Sequence, residues 1–161
     1  MTVFAWIKLI DIYVYACILV VMKNFEHCLN FEIRKANRVL SQVYDGYLQG
    51  CGLKTSQFSV LRAICFLNNK TTNTELQKIL VLDQTSLSRA LKPLLRDGII
   101  QATTGVDRRQ KELSLTTKGL DVYDQALSLW EQAQDYVSTR LGEKGQHELL
   151  KTVQSIVSLK S

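Results

Sequence analysis

Between Thr72 and Thr116 two amphipathic helices run into a basic hairpin, and this stretch limits what the chain can fold into more than any other. Thr72 followed by Glu75 forms a capping box, in which hydroxyl and carboxylate satisfy each other's free backbone N–H groups. Leu76, Ile79 and Leu80 then recur on one helical face. After a break at Val81-Leu82, Asp83 is a good N-cap for a second helix, Gln84–Arg96. Leu87, Ala90, Leu91, Leu94 and Leu95 form its buried stripe, and Gln84, Thr85, Ser88, Arg89 and Lys92 share the other side, with Ser86 in the first turn. Short hydroxyls, an amide and a basic pair are what a helix in a DNA major groove uses: the first two reach base edges, and the cations hold bases or phosphates. Pro93 removes one helical N–H bond and is expected to bend the last turns.

Gly98 closes this helix. Ile99–Thr103 reads as a strand, and Glu112–Thr116 alternates with Leu113 and Leu115 inward. The loop between them, Gly105-Val106-Asp107-Arg108-Arg109-Gln110-Lys111, is the basic tip of a β-hairpin wing. The predicted fold is therefore mainly α with a small β-hairpin wing, a winged helix-turn-helix over about residues 55–116. From Lys54 to Lys118 there are 11 basic residues against 5 acidic ones, a net of +6 where the whole chain carries +5, so the rest sums to −1. The positive charge sits where a polyanion would be met.

The run Asp107-Arg108-Arg109-Gln110-Lys111-Glu112-Leu113-Ser114-Leu115-Thr116 resembles the wing signature D-x-R-x-x-x-x-x-L-T of the MarR family, with Asp107, Arg109, Leu115 and Thr116 filling the fixed positions. The resemblance runs from about Cys28 to the C-terminus. It implies a sequence-specific DNA-binding transcriptional regulator in which Asp107 pairs with an arginine to fix the wing and Arg109 enters the minor groove. A narrow A·T-rich minor groove attracts guanidinium groups, in keeping with that role. Arg108 and Lys111 are expected on phosphates, and Gln84, Thr85, Ser86, Ser88, Arg89 and Lys92 form the groove-facing set. An intact wing argues against an interaction module that has lost DNA binding.

Val3–Val21 is nearly continuous apolar sequence interrupted by Lys8 and Asp11. As a membrane span each charge would cost about 2.5–3.5 kcal/mol near the bilayer centre, and the basic start of a signal peptide is missing. The alternative, that Met22 is the true start and residues 1–21 are an N-terminal extension outside the native protein, is favoured because the family resemblance begins just beyond it. A cytoplasmic location without membrane contact is then expected. The first long helix, about residues 25–49 with Asn24 or Asn30 as cap, spaces Leu29, Ile33, Ala36, Leu40, Val43 and Tyr47 in alternating steps of four and three, a helix-pairing seam. Gly50-Cys51-Gly52 makes a corner, Thr55 is expected to cap the next helix, and Asn68-Asn69 ends it.

Beyond Thr116-Thr117, a long helix carries Leu120, Tyr123, Leu127, Trp130, Val137 and Leu141, punctuated by Gly142 and Gly145, before a last helix with Leu149, Leu150, Val153, Ile156 and Val157. The terminal helices, about 25–49 and 117–160, hold more apolar surface than one winged domain can cover. In the family such helices interleave between two subunits, so a homodimer on a pseudo-palindromic duplex is expected.

No Ser/His/Asp or Cys/His context surrounds His27 or His147, and no glycine-rich phosphate loop exists, so enzyme, cofactor and metal readings have no support. The resemblance implies a repressor that responds to a small aromatic or anionic effector, with Tyr44, Tyr47, Phe58 and Arg62 as pocket candidates. The alternative is a thiol redox switch using Cys28 or Cys51, with Cys65 a further candidate. Asn30, rather than Cys28, stands where the sensing thiol of such relatives falls. Cys51, between two glycines, is expected to be the thiol most open to oxidant.

Overall fold

The structure, a computed structural model, describes residues 28–105 and 111–160. Helix α1, Leu29–Leu48, carries the sequence across the boundary between two compact units, one ending at Gln42 and the other beginning at Val43. The second unit contains a 3-10 turn Gln49–Cys51, α2 (Thr55–Phe66), β1 (Thr71–Thr72), α3 (Asn73–Leu80), α4 (Gln84–Arg96), β2 (Ile100–Thr104), β3 (Lys111–Leu115) and α5 (Thr117–Val157). A last 3-10 turn spans Ser158–Lys160.

The core forms where α2, α3, α4 and the sheet meet. Phe58, Leu61 and Ile64 from α2, Leu76 from α3, Leu87 and Leu94 from α4, and Ile100, Leu113 and Leu115 from the strands are all buried. The stripe on α4 is narrower than its spacing implies: Leu87, Ala90, Leu91 and Leu94 are buried, but Leu95 is 40% exposed. On α3, Leu76 is buried while Ile79 lies 42% exposed. Three strands pair antiparallel in the order β1-β3-β2, with Thr71 opposite Leu113 and Ile100 opposite Leu115. β1 has no sequence signal, because two residues have no measurable alternation.

The expected caps at Thr72, Asp83 and Thr116 all form. Thr72 Oγ1 accepts from the Glu75 N–H, Asp83 Oδ1 from the Ser86 N–H, and Thr116 Oγ1 from the Gly119 N–H. Val81 closes α3 in the left-handed region at φ 52°, and the Leu82 N–H reaches back to the Gln77 carbonyl at 3.1 Å. That bond turns the chain straight into the Asp83 cap. Thr55 is not the cap of α2. Lys54 is, with its N–H donating to Gln57 Oε1 at 2.8 Å, while the Thr55 N–H and hydroxyl both donate to Asp45 Oδ1. The acceptor ten residues back draws the threonine one step into the helix.

α4 runs through Pro93 to Arg96, and its end is closed by Gly98 at φ 66° with the Ile99 N–H on the Leu94 carbonyl. In α5 the backbone leaves helical geometry at Gly142 (φ 69°, ψ 160°), so the predicted break falls there and Gly145 stays helical. Past Gly142 the side chains of Leu149, Leu150, Val153, Ile156 and Val157 are all exposed.

Candidate nucleic-acid interface

α4 is held by its buried stripe, and the opposite face of the same cylinder presents Gln84, Thr85, Ser88, Arg89 and Lys92 to solvent. Ser86 is turned away from them: its hydroxyl donates to Asp83 Oδ2 at 2.8 Å and its N–H to Oδ1 at 2.8 Å. These bonds hold the Asp83 carboxyl below its usual range, so the cap is an anion at neutral pH. Ser86 therefore shapes the helix start, and the outward set reduces to the other five. Gln84 Nε2 donates to Ser88 Oγ at 3.5 Å, a long bond that leaves both groups able to reorient.

Arg89 and Lys92 make no ion pair among the described residues. Arg96 differs from them, because its guanidinium grips Asp97 through Nε at 2.7 Å and Nη2 at 3.0 Å. This bidentate pair keeps the Asp97 carboxyl low.

The wing rises from β2 and β3, and Lys111 at the first position of β3 faces solvent opposite Thr104. Asp107, Arg108 and Arg109, with the roles expected for them, lie outside the described residues. Between α4 and the sheet opens a cleft of about 430 Å³, floored by Leu91, Leu95, Ala102 and Leu113 and rimmed by Ser88, Lys92 and Lys111. Asn73 reaches it from the start of α3, with a buried Oδ1 that has no hydrogen-bond partner among the described residues.

The four pocket candidates meet α5 in different ways. Phe58 is 2% exposed and stacked between Tyr123 (centroids 5.9 Å apart) and Trp130 (6.0 Å), so it is core. Arg62 is exposed with its guanidinium 4.1 Å over the Trp130 ring. Tyr44 donates to Gln134 Oε1 at 2.6 Å and its phenol pKa is raised by burial, with Arg62 opposing the shift. Tyr47 packs at 6.2 Å against Tyr136.

The thiols also separate. Cys28 is exposed, whereas Cys51 is half-buried with Sγ on the Leu48 carbonyl at 3.1 Å, and is not the most accessible of them. Burial, reinforced by Asp124, pushes the Cys65 thiol up and away from thiolate. No group of three metal-ligating side chains occurs among the described residues, and no helix among them is long and apolar enough to cross a membrane.

No protein-family model and no curated protein matches the sequence. Solved structures do. The transcriptional regulator MosR of M. tuberculosis, in complex with DNA, is 30% identical, with a TM-score of 0.72 over 84% of this chain and 100% of that one. A variant of MarR from E. coli complexed with operator DNA is 24% identical over 80% of this chain and 92% of its own, with a TM-score of 0.72. The organohalide-sensing regulator RdhR, solved ligand-free and with 2,4-dichlorophenol bound, is 22% identical in the free form over 81% of this chain and 78% of that one, at a TM-score of 0.74. With the identity to MosR across that protein's full length, the wing signature and the winged fold in agreement, the chain belongs to the MarR family of DNA-binding transcriptional regulators and is not an enzyme.

Proposed function

We propose that this regulator acts as a homodimer, a ligand-responsive repressor on a pseudo-palindromic site, with Gln84, Thr85, Ser88 and Arg89 at base edges and Lys92, Arg108 and Lys111 on phosphates. Arg109 enters the minor groove and Asp107 fixes the wing beneath it. The observation carrying this reading is the outward face of α4: hydroxyls, an amide and two cations in a row on a helix whose other face is locked into the core. MosR and MarR, solved with DNA, support it by likeness. Exposed Leu29 and Ile33 on α1, and exposed Leu149, Leu150, Val153, Ile156 and Val157 on α5, support pairing with a second copy. Two copies would set their recognition helices roughly 34–36 Å apart, in successive major grooves.

The effector is a phenol or aromatic carboxylate. Tyr44, Tyr47 and Arg62 supply hydroxyls and a cation beside the Phe58–Trp130 stack, and RdhR supports a halophenol class by likeness. The test is binding of the full chain to a duplex selected from a random pool, with sedimentation of the free protein and titration with 2,4-dichlorophenol. A dimer that binds the selected duplex and is released by the phenol is expected; a monomer at micromolar concentration, or indifference to selected sequence, overturns it. Thiol oxidation is the second reading, favoured by the exposure of Cys28. In that case peroxide releases the wild type from DNA and leaves Cys28→Ser bound.

A further inference from the structure

The exit of the recognition helix is tied to the base of the long helix by a small set of bonds that touch no DNA-facing residue. The Thr116 N–H donates to the Ile99 carbonyl at 3.1 Å, and the Thr116 hydroxyl donates to the Gly98 carbonyl at 2.7 Å. A hydroxyl has one proton and two lone pairs, so the same oxygen can accept from the Gly119 N–H, which it does at 3.0 Å. One side chain thus caps α5 and grips the end of α4 at once. Lys118 adds a bond from Nζ to the Asp97 carbonyl at 2.9 Å.

Gly119 completes the joint. It is buried, and a Cβ there would overlap the Ile99 carbonyl oxygen, so α5 can start this close to the α4 exit only with glycine. The neighbouring Leu115 is gripped in turn by Asn69, whose Oδ1 accepts the Leu115 N–H at 2.6 Å.

We propose that Thr116 and Gly119 are positioning residues for DNA recognition: they fix the tilt of α4 against α5, and so set the selectivity of binding without touching DNA. The inference rests on the DNA-binding reading above. Gln84, Thr85 and Ser88 lie in the first turns of α4, at the far end from the joint. At 1.5 Å per residue, a tilt of about 5° at the exit displaces that far end by roughly 1.5 Å, wider than the hydrogen-bond distance window of about 0.5 Å. Base contacts are lost on that scale. Contacts from long cationic side chains to phosphates are not, because those chains follow the backbone.

The test is anisotropy titration of the full chain with a duplex selected from a random-sequence pool and with the unselected pool, over a salt series. Thr116→Val, which keeps shape and removes the hydroxyl, is expected to lose about tenfold in affinity for the selected duplex. Its affinity for the pool and its salt slope stay unchanged, and Thr116→Ser restores the wild-type value. A selective wild type matched by an equally selective Thr116→Val overturns the proposal, as does a parallel loss on both duplexes or a serine variant as weak as valine. If Thr116→Val does not fold, Lys118→Gln carries the test, since it removes an exposed ammonium and its bond to the Asp97 carbonyl without touching the core. A loss of roughly threefold on the selected duplex with unchanged slope supports the joint. An unaltered affinity, or a slope lower by about one with equal losses on both duplexes, overturns it. A wild type that binds both duplexes alike overturns the DNA-recognition reading itself.

Discussion

Replacing Asn69 by alanine removes a side chain that acts as an extra strand partner at the end of β3. Its Oδ1 accepts from the Leu115 N–H at 2.6 Å and its Nδ2 reaches the Leu115 carbonyl at 3.4 Å. Leu115 is buried, so its amide would keep no partner, at a cost of about 1–3 kcal/mol. Asn69 also holds φ 58°, a left-handed backbone that asparagine tolerates and that costs alanine about 1 kcal/mol more. The sum is about 2–4 kcal/mol, which for a chain of this size lowers Tm by roughly 5–15 °C. Asn69→Gly loses the same bonds but is relaxed at positive φ, so it is expected to fall about 1 kcal/mol less than alanine. Calorimetric melting at one fixed protomer concentration reads both, since dimerisation would add its own concentration dependence. An alanine variant within about 0.5 kcal/mol of wild type, or a glycine variant as costly as alanine, refutes the reasoning.

Arg109→Ala is expected to weaken binding to a selected duplex more than to random DNA, whereas Lys111→Ala weakens both alike and lowers the salt slope by about one; titrations over a salt series decide between these roles. Hydrogen bonds from Thr72, Thr71 and Ser86 hold the Glu75 and Asp83 carboxyls low in the folded chain. Depressed carboxylates stabilise above their unfolded pKa values of about 4, and that contribution is lost as pH falls through the folded values. Melting temperature is therefore expected to drop below about pH 4 more steeply in wild type than in a Glu75→Gln/Asp83→Asn double variant. Gly142→Ala places a side chain at φ 69°, ψ 160°, a region open almost only to glycine, so the last helix must strain or change direction. Dimer dissociation in sedimentation is expected to rise about tenfold or more, and an unchanged dimer refutes the assignment of that helix to pairing.

What could be read from the sequence is what depends on neighbours within a turn. The boxes and caps at Thr72, Asp83 and Thr116, the glycine stop at Gly98 and the polar face of α4 are set by residues three or four apart, and the helix period carries them into the linear sequence. The family signature added the wing. The rest was decided when distant segments met. Asn69 and Leu115 are 46 residues apart, and Thr116 and Gly98 are 18 apart, so neither bond leaves any pattern in the sequence. Thr55 gave up its expected cap because Asp45 arrived beside it, and Phe58 became core because Tyr123 and Trp130 closed over it. Local periodicity fixes which face of a helix is apolar; only the return of the chain decides which polar groups on the other faces are already occupied.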